Sequence, residues 1–225
     1  ERTLRRRFMI FSNQKERFDQ GGRLFGGFWQ NLKSDRRRNI RIGGEPVATL
    51  DYSSMFTRLA YAELRAIPPD CDLYSIPGFE NYRGGIKFAM NCFLFDGGPR
   101  RSWPRELGVG VGDDSAGKIE SDQEAAEYRA RLPMGATVTS IREAILRVHR
   151  ILEKAWDRRL GYRLMFRESE IMTCVLIELA SKNVPALCLH DGLIVPVSAR
   201  ELAKQVMATC TRDLAGAEFP VADKT

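Results

Sequence analysis

The sequence predicts an α+β fold, an antiparallel sheet packed by helices, and three observations predict it. A short apolar run, Val47-Ala-Thr-Leu, closes on Asp51 and leads into a helix start. A second apolar stretch, Pro185 to Val197, is broken once by His190-Asp191-Gly192 and reads as strand, tight turn, strand. The element order is then strand–helix, helices, hairpin, helix, which suits an antiparallel sheet.

Residues 1–44 form a basic, glycine-rich N-terminal segment with interleaved aromatics (Phe8, Phe11, Phe18, Phe25, Phe28, Trp29). Its pairs Gly21–Gly22 and Gly26–Gly27 read as loops or bends. Residues 47–51 suit a strand; Ser53 caps a helix over about 54–66, which Pro68 and Pro69 terminate. Residues 70–82 read as a loop, and a second helix runs over about 83–95 before Gly97–Gly98. From 99 to 137 the chain turns polar and reads as an insertion or mobile loop. Its Gly108-x-Gly110-x-Gly112 run lacks the flanking strand and helix of a phosphate cradle. An amphipathic helix spans Ser140 to about Arg158, with Ile141, Ile145, Val148, Leu152 and Ala155 on one face and His149 beside it as a structural residue. A helix over about 169–182 ends at Asn183 and Pro185; the last begins at Ser198, where Ser198-x-x-Glu201 makes a capping box.

With 225 residues, 44% of them hydrophobic, the chain can bury a sizeable core. No apolar run approaches the roughly 18 residues of a membrane span, and Glu1 opens no signal peptide. The absence of an initial Met points to a fragment or a processed form. Cys71, Cys92, Cys174, Cys188 and Cys210 are scattered, none in a C-x-x-C pair, so a zinc site is not expected and a reducing, cytoplasmic setting is. The net charge of +6 is concentrated in Arg2, Arg5, Arg6 and Arg7 and in Lys33, Arg36, Arg37, Arg38 and Arg41. Such blocks attract polyanions by counterion release, or serve as a solvated face; charge alone does not choose.

Asp51 and Asp191 stand out because each ends or turns an apolar strand, where an unpaired carboxylate costs several kcal/mol of desolvation. If the two tips meet, a divalent cation resolves their repulsion. Mg²⁺ accepts one or two protein carboxylates, with phosphates and water completing its octahedron. Two such ions, about 3.5–4 Å apart, support phosphoryl transfer. Taken singly, each aspartate reads as a structural turn or cap residue.

Four segments, in order, resemble the palm of the DNA polymerase I family (family A), to which the single-subunit RNA polymerases are related. Asp51-Tyr-Ser-Ser-Met-Phe-Thr-Arg58 resembles motif A; Arg83-x-x-x-Lys87, with Phe95 eight residues on, resembles motif B; Leu189-His190-Asp191 resembles motif C. Gly22-Arg23-Leu24, with Asn31-Leu32 downstream, is similar to the segment that precedes motif A, and Glu168-Ser-Glu-Ile171 sits where the family has a helix before motif C. The resemblance covers about residues 21–205 and implies a palm over 45–225, with reduced fingers inserted at about 70–137.

It also implies roles. Asp51, Asp191 and the Tyr52 carbonyl would hold two Mg²⁺, or Mn²⁺. Arg83 and Lys87 would face the triphosphate, Lys87 also protonating the leaving pyrophosphate. Phe95 would stack near the templating base. Arg23 and Arg58 would hold a DNA primer–template or the palm itself, His190 would lie near the primer terminus, and Arg36 and Arg37 would add basic surface. Phe56, five residues after Asp51, is bulky where the family contacts the sugar, which favours deoxynucleotides. Three features depart from the family pattern: Gly84–Gly85 inside motif B, Asp96 for a glycine after Phe95, and Gly192 for a second acid in motif C. No segment reads as a thumb, so an accessory subunit supplying a thumb or clamp is a further expectation. Two alternatives stay open: a primase or RNA polymerase on the same palm, and a non-catalytic nucleic-acid-binding replication module using the basic N-terminal segment.

Overall fold

The structure, a computed structural model, describes residues 3–11, 17–110 and 130–224. Arg2 and Gly112 lie outside them. The chain divides into two compact units, Glu1–Glu63 with Tyr162–Thr225, and Leu64–Gly161. The basic N-terminal segment is therefore part of the first unit rather than a segment apart, and the inserted unit is wider than the expected 70–137.

The first unit is built on β3 (Arg41–Ile42), β4 (Glu45–Tyr52), β7 (Leu187–Leu189), β8 (Gly192–Pro196) and β9 (Val221–Asp223). Every pairing in this sheet is antiparallel: β8 lies between β4 and β7, while β3 and β9 share the other edge of β4. All five residues of β8 are buried, as an interior strand requires. Gly43 and Gly44, both at positive φ, make the two-residue β3–β4 turn, a conformation that favours glycine.

The pleat of β4 sorts its side chains by parity. Ala48, Leu50 and Tyr52 are buried on one face, where α6 (Arg200–Ala215) packs and the Tyr52 hydroxyl donates to the Met207 carbonyl at 2.7 Å. Val47 belongs to the opposite face, in a cluster with Ile194 and Trp29 that Leu4, Ile40, Ile42, Leu187 and Leu189 surround. Trp29 thus packs on the sheet face that Val47 shares, by parity, with Asp51.

Several expected boundaries shift. Gly21 and Gly22 are not in a bend but open β2 (Gly21–Phe25), paired with β1 (Arg5–Phe8) through a bulge. The helix after Asp51, α2 (Met55–Glu63), is shorter than expected: it begins after Ser54, which adopts φ 57°, and ends before Arg65, which adopts φ 53°, while the Ser53 N–H donates to the Pro220 carbonyl. The helix before the hairpin, α5, runs Leu160–Ser181, beginning well before 169. Ser198 lies in a single 3-10 turn after Pro196, so no capping box forms and α6 starts at Arg200. One short helix, α1 (Ser34–Arg37), carries Arg36 and Arg37.

In the second unit α3 (Arg83–Phe95) has the expected limits and buries Ile86, Ala89, Met90, Phe93 and Leu94. Gly85 is required there: a Cβ would overlap the Arg131 carbonyl of β6 (Ala130–Leu132). β6 pairs in parallel with β5 (Leu107–Val109), so the polar 99–137 stretch is not all loop. α4 covers Val138–Val148 only; His149 leaves the helix, and its buried ring donates through Nε2 to the Leu73 carbonyl at 2.9 Å, a structural role. Among the described residues, no helix is long and apolar enough to cross a membrane.

Candidate active site

The β4/β8 register sets Asp51 opposite Gly192, and the Tyr52 N–H donates to the Asp191 carbonyl at 3.0 Å. The two aspartates, 140 positions apart in sequence (191 − 51), are thereby neighbours at one end of the sheet. Gly192 is fixed by this approach: a Cβ would overlap the Leu50 carbonyl and come within 3.0 Å of Asp51 Oδ1. A second acid at 192 has no room.

Burial pushes the Asp51 carboxyl up to about 6; the Asp191 charge and a side-chain hydrogen bond to Asp191 add to the rise, and Lys224 opposes it. Lys224 Nζ lies 3.5 Å from Asp51 Oδ2, and its backbone N–H is anchored on the Thr49 carbonyl at 2.8 Å. These groups line a pocket of about 360 Å³ with Arg37 and Arg38 of the basic block, and with Gln30, Leu189 and His190. Gln30 is held in place by its amide, which donates to the carbonyls of Leu24 and Cys188. His190 packs edge-on to Phe25, its pKa lowered by burial and by Arg23 despite Asp191.

Beside this pair lies a third acid. Glu168 on α5 is fully buried and takes a two-pronged contact from Arg23, Nε to Oε1 at 2.6 Å and Nη2 to Oε2 at 2.8 Å. Its pKa is raised to about 7, chiefly by burial and to a smaller extent by the charges of Asp191 and Asp51, against the lowering effect of Arg23. The Arg23 guanidinium also sits 5.2 Å from the centre of the Phe56 ring. Arg23 therefore holds the fold together, one of its two expected roles. Arg58 likewise donates to the Ser53 carbonyl at 3.1 Å. Arg6 is similarly engaged, bonded to Ser169 Oγ at 2.7 Å and stacked on Phe8 and Phe166, so it is not part of a purely solvated face.

Arg83, Lys87 and Phe95 belong to the second unit. Arg83 forms a two-pronged pair with Asp72, and both Arg83 and Lys87 face the Tyr74 ring, at 5.2 and 5.9 Å. The Phe95 ring fills the space where Gly161 would otherwise carry a Cβ. Asp96 ends α3 and pairs with Arg100 through two 2.8 Å bonds, which accounts for an acid at that position. Arg36 is exposed and does not line the pocket, whereas Arg38 does.

Sequence reasoning missed Lys224 and the part Glu168 plays. Glu168 was detectable: Leu164, Ile171, Met172, Val175 and Leu179 are buried at helical spacing, and Glu168 falls on that stripe. Lys224 carries no such signal, because only strand pairing brings β9 beside β4. Among the described residues, no group of three or more acid, histidine or cysteine side chains is arranged to hold a metal. A cation between Asp51 and Asp191 would have two carboxylates from the protein, hard oxygen donors that Mg²⁺ accepts, whereas Tyr52 is not among the residues lining the pocket. No protein-family model matches the chain, and a search of the curated proteins finds no match either.

Proposed function

We propose that this chain is the catalytic core of a template-directed nucleic-acid polymerase that adds nucleoside triphosphates, with deoxynucleotides favoured, to a primer 3′ end. The observation that carries the reading is the meeting of Asp51 and Asp191 at the floor of a pocket rimmed by Arg37, Arg38 and Lys224. When both are ionised each raises the free energy of the other's charged form, a cost that a divalent cation would offset. Divalent cations bound between them would activate the primer hydroxyl and neutralise the leaving oxygen.

The chain's own residues supply the rest of the chemistry. Asp51 and Asp191 bind cations only as carboxylates, so Asp51 must lose a proton that burial helps it keep. The Tyr52 side chain is committed to Met207, leaving its backbone carbonyl as the one group it can offer a metal. Arg37 and Arg38 give the pocket rim affinity for phosphodiester. Arg83 and Lys87, one helical turn apart on α3, are the cations suited to a triphosphate, and Lys87 is the proton donor for pyrophosphate. Phe56, stiffened by the Arg23 guanidinium, provides a bulky surface against a 2′-hydroxyl.

Primer extension on a defined template with Mg²⁺ tests the reading. Wild type should extend, and Asp51→Asn and Asp191→Asn should not, while both still bind primer–template in a gel-shift assay. Full extension by both variants would refute the assignment. Binding without any extension by wild type would favour the non-catalytic module. Preference for ribonucleotides by wild type would favour the primase or RNA polymerase reading, and Phe56→Ala should raise ribonucleotide use by about tenfold.

A further inference from the structure

Five scattered cysteines gave no pattern in the sequence, but the fold brings two of them together. Cys174 lies on α5 and Cys210 on α6, and their sulfurs are 2.8 Å apart across a sequence separation of 36. That is within about 1 Å of a covalent sulfur–sulfur bond. Cys174 is half-buried and Cys210 buried. Both form the wall of a cavity of about 420 Å³ whose lining also includes Glu178, Lys182, Gln205 and Asp213. The other thiols differ in setting: Cys71 is exposed, and Cys188 is buried in β7 with its sulfhydryl directed at the Leu189 carbonyl.

We propose that Cys174 and Cys210 form a dithiol modification site that takes small-molecule disulfides and closes to an intramolecular bond. The Cys174 thiolate attacks one sulfur of the disulfide RSSR, whose sulfur–sulfur bond breaks, and RS⁻ leaves and is protonated. Cys210, as thiolate, then attacks the Cys174 sulfur of the mixed disulfide, expelling the second RSH. The protein dithiol and RSSR become a protein disulfide and two RSH, with electrons and protons balanced. The order follows from access: Cys174 is the more exposed thiol, and burial raises the pKa of Cys210, which makes it the resolving rather than the attacking group.

The bond would tie together two helices that serve the carboxylate site. α5 carries Glu168, and α6 supplies the Met207 carbonyl that holds Tyr52 next to Asp51. The site itself is independent of any polymerase activity.

Equilibration of the full chain in buffers of glutathione and glutathione disulfide, then acid quench, alkylation and peptide mass mapping, tests the proposal. The expected product is a Cys174–Cys210 linked peptide, lighter by two hydrogens, with Tm raised by roughly 5 °C. Cys210→Ser should stop at a glutathione adduct on Cys174. Wild-type maps in which Cys71 takes glutathione and no Cys174–Cys210 link forms would overturn the proposal, as would a map in which Cys210 is the first thiol modified. Wild-type mapping decides the matter even if a serine variant folds poorly.

Discussion

The two compact units handle charge in opposite ways. In the unit that carries the sheet, the ionisable groups of interest are acids driven inward: Glu168 has no exposure, and Asp51 is about one-third exposed and leans on Asp191. In the inserted unit they are cations held outward: the Arg83 side chain is 54% exposed, and its partner Asp72 is 37% exposed. A buried acid must be matched atom for atom or have its pKa raised, so its neighbours are determined by it. An exposed cation is screened by water and salt, so its surroundings do not reveal whether it is used. Stability and activity should therefore respond to substitution in opposite patterns in the two units.

The largest expected effect is at the aspartates. Asp51→Asn should reduce extension by on the order of 10³-fold or more, equivalent to about 4 kcal/mol of barrier. The same change should stabilise the metal-free protein. Burial raises the folded Asp51 pKa to about 6 from an ordinary aspartate value of 3.8, so its neutral form favours folding below about pH 4, and that contribution is lost as pH rises through 6. An asparagine cannot ionise and escapes the loss. Thermal unfolding in chelator should show Asp51→Asn above wild type in Tm at pH 8 and level with it at pH 4. A lower Tm at pH 8 would break the comparison, for it would mean the charge is satisfied by the fold.

Next in size is the Arg23–Glu168 contact. Glu168→Ala strands the Arg23 guanidinium and Arg23→Ala strands a buried acid, so each should cost about 3–5 kcal/mol in urea unfolding. Asp72→Ala, which removes the comparable two-pronged pair in the inserted unit, should cost less than about 1 kcal/mol, because that pair is exposed. Equal costs would erase the distinction between the units. Lys87→Ala should then lower kcat/KM for nucleotide by about 10²-fold with Tm unchanged, the reverse of the Glu168 pattern.

These contrasts also explain what the sequence made legible. Strand β4, the hairpin around His190-Asp191 and α3 could be read because each is specified locally, by alternation, by a turn tripeptide or by a helical stripe between breakers. The start of α5 could not, because Gly161 reads as a breaker until Phe95 is seen to occupy the space its side chain would need. Gly85 misleads in the same way, since its reason is the Arg131 carbonyl rather than flexibility. At the site, Asp51 and Asp191 were legible only as a pair, because two acids ending apolar strands stand out together where either alone reads as a turn or cap residue. Of the two roles the sequence left open for Arg23, its contact with the fully buried Glu168 accounts for the structural one, which no local pattern selects. Arg38 and Lys224 were missed as pocket residues for a different reason: no local rule distinguishes one surface cation from another.

Lys224 offers the smallest and finest test of the comparison, because it is an exposed cation of the second kind set inside the unit of buried acids. Its side chain is 57% exposed and its Nζ is 3.5 Å from Asp51 Oδ2, a geometry worth under about 1 kcal/mol. It stands where a divalent cation would draw on the same carboxylate, so ammonium and metal compete for Asp51. Lys224→Gln should therefore tighten Mn²⁺ binding, measured by calorimetry at pH 8, by about 2–5-fold, the factor that so weak an ion pair allows. Weaker Mn²⁺ binding by Lys224→Gln would make the lysine a support that orders Asp51 for the metal instead of a rival to it. Absence of Mn²⁺ binding by wild type would reach further, since the carboxylate pair would then have lost its reason to be charged.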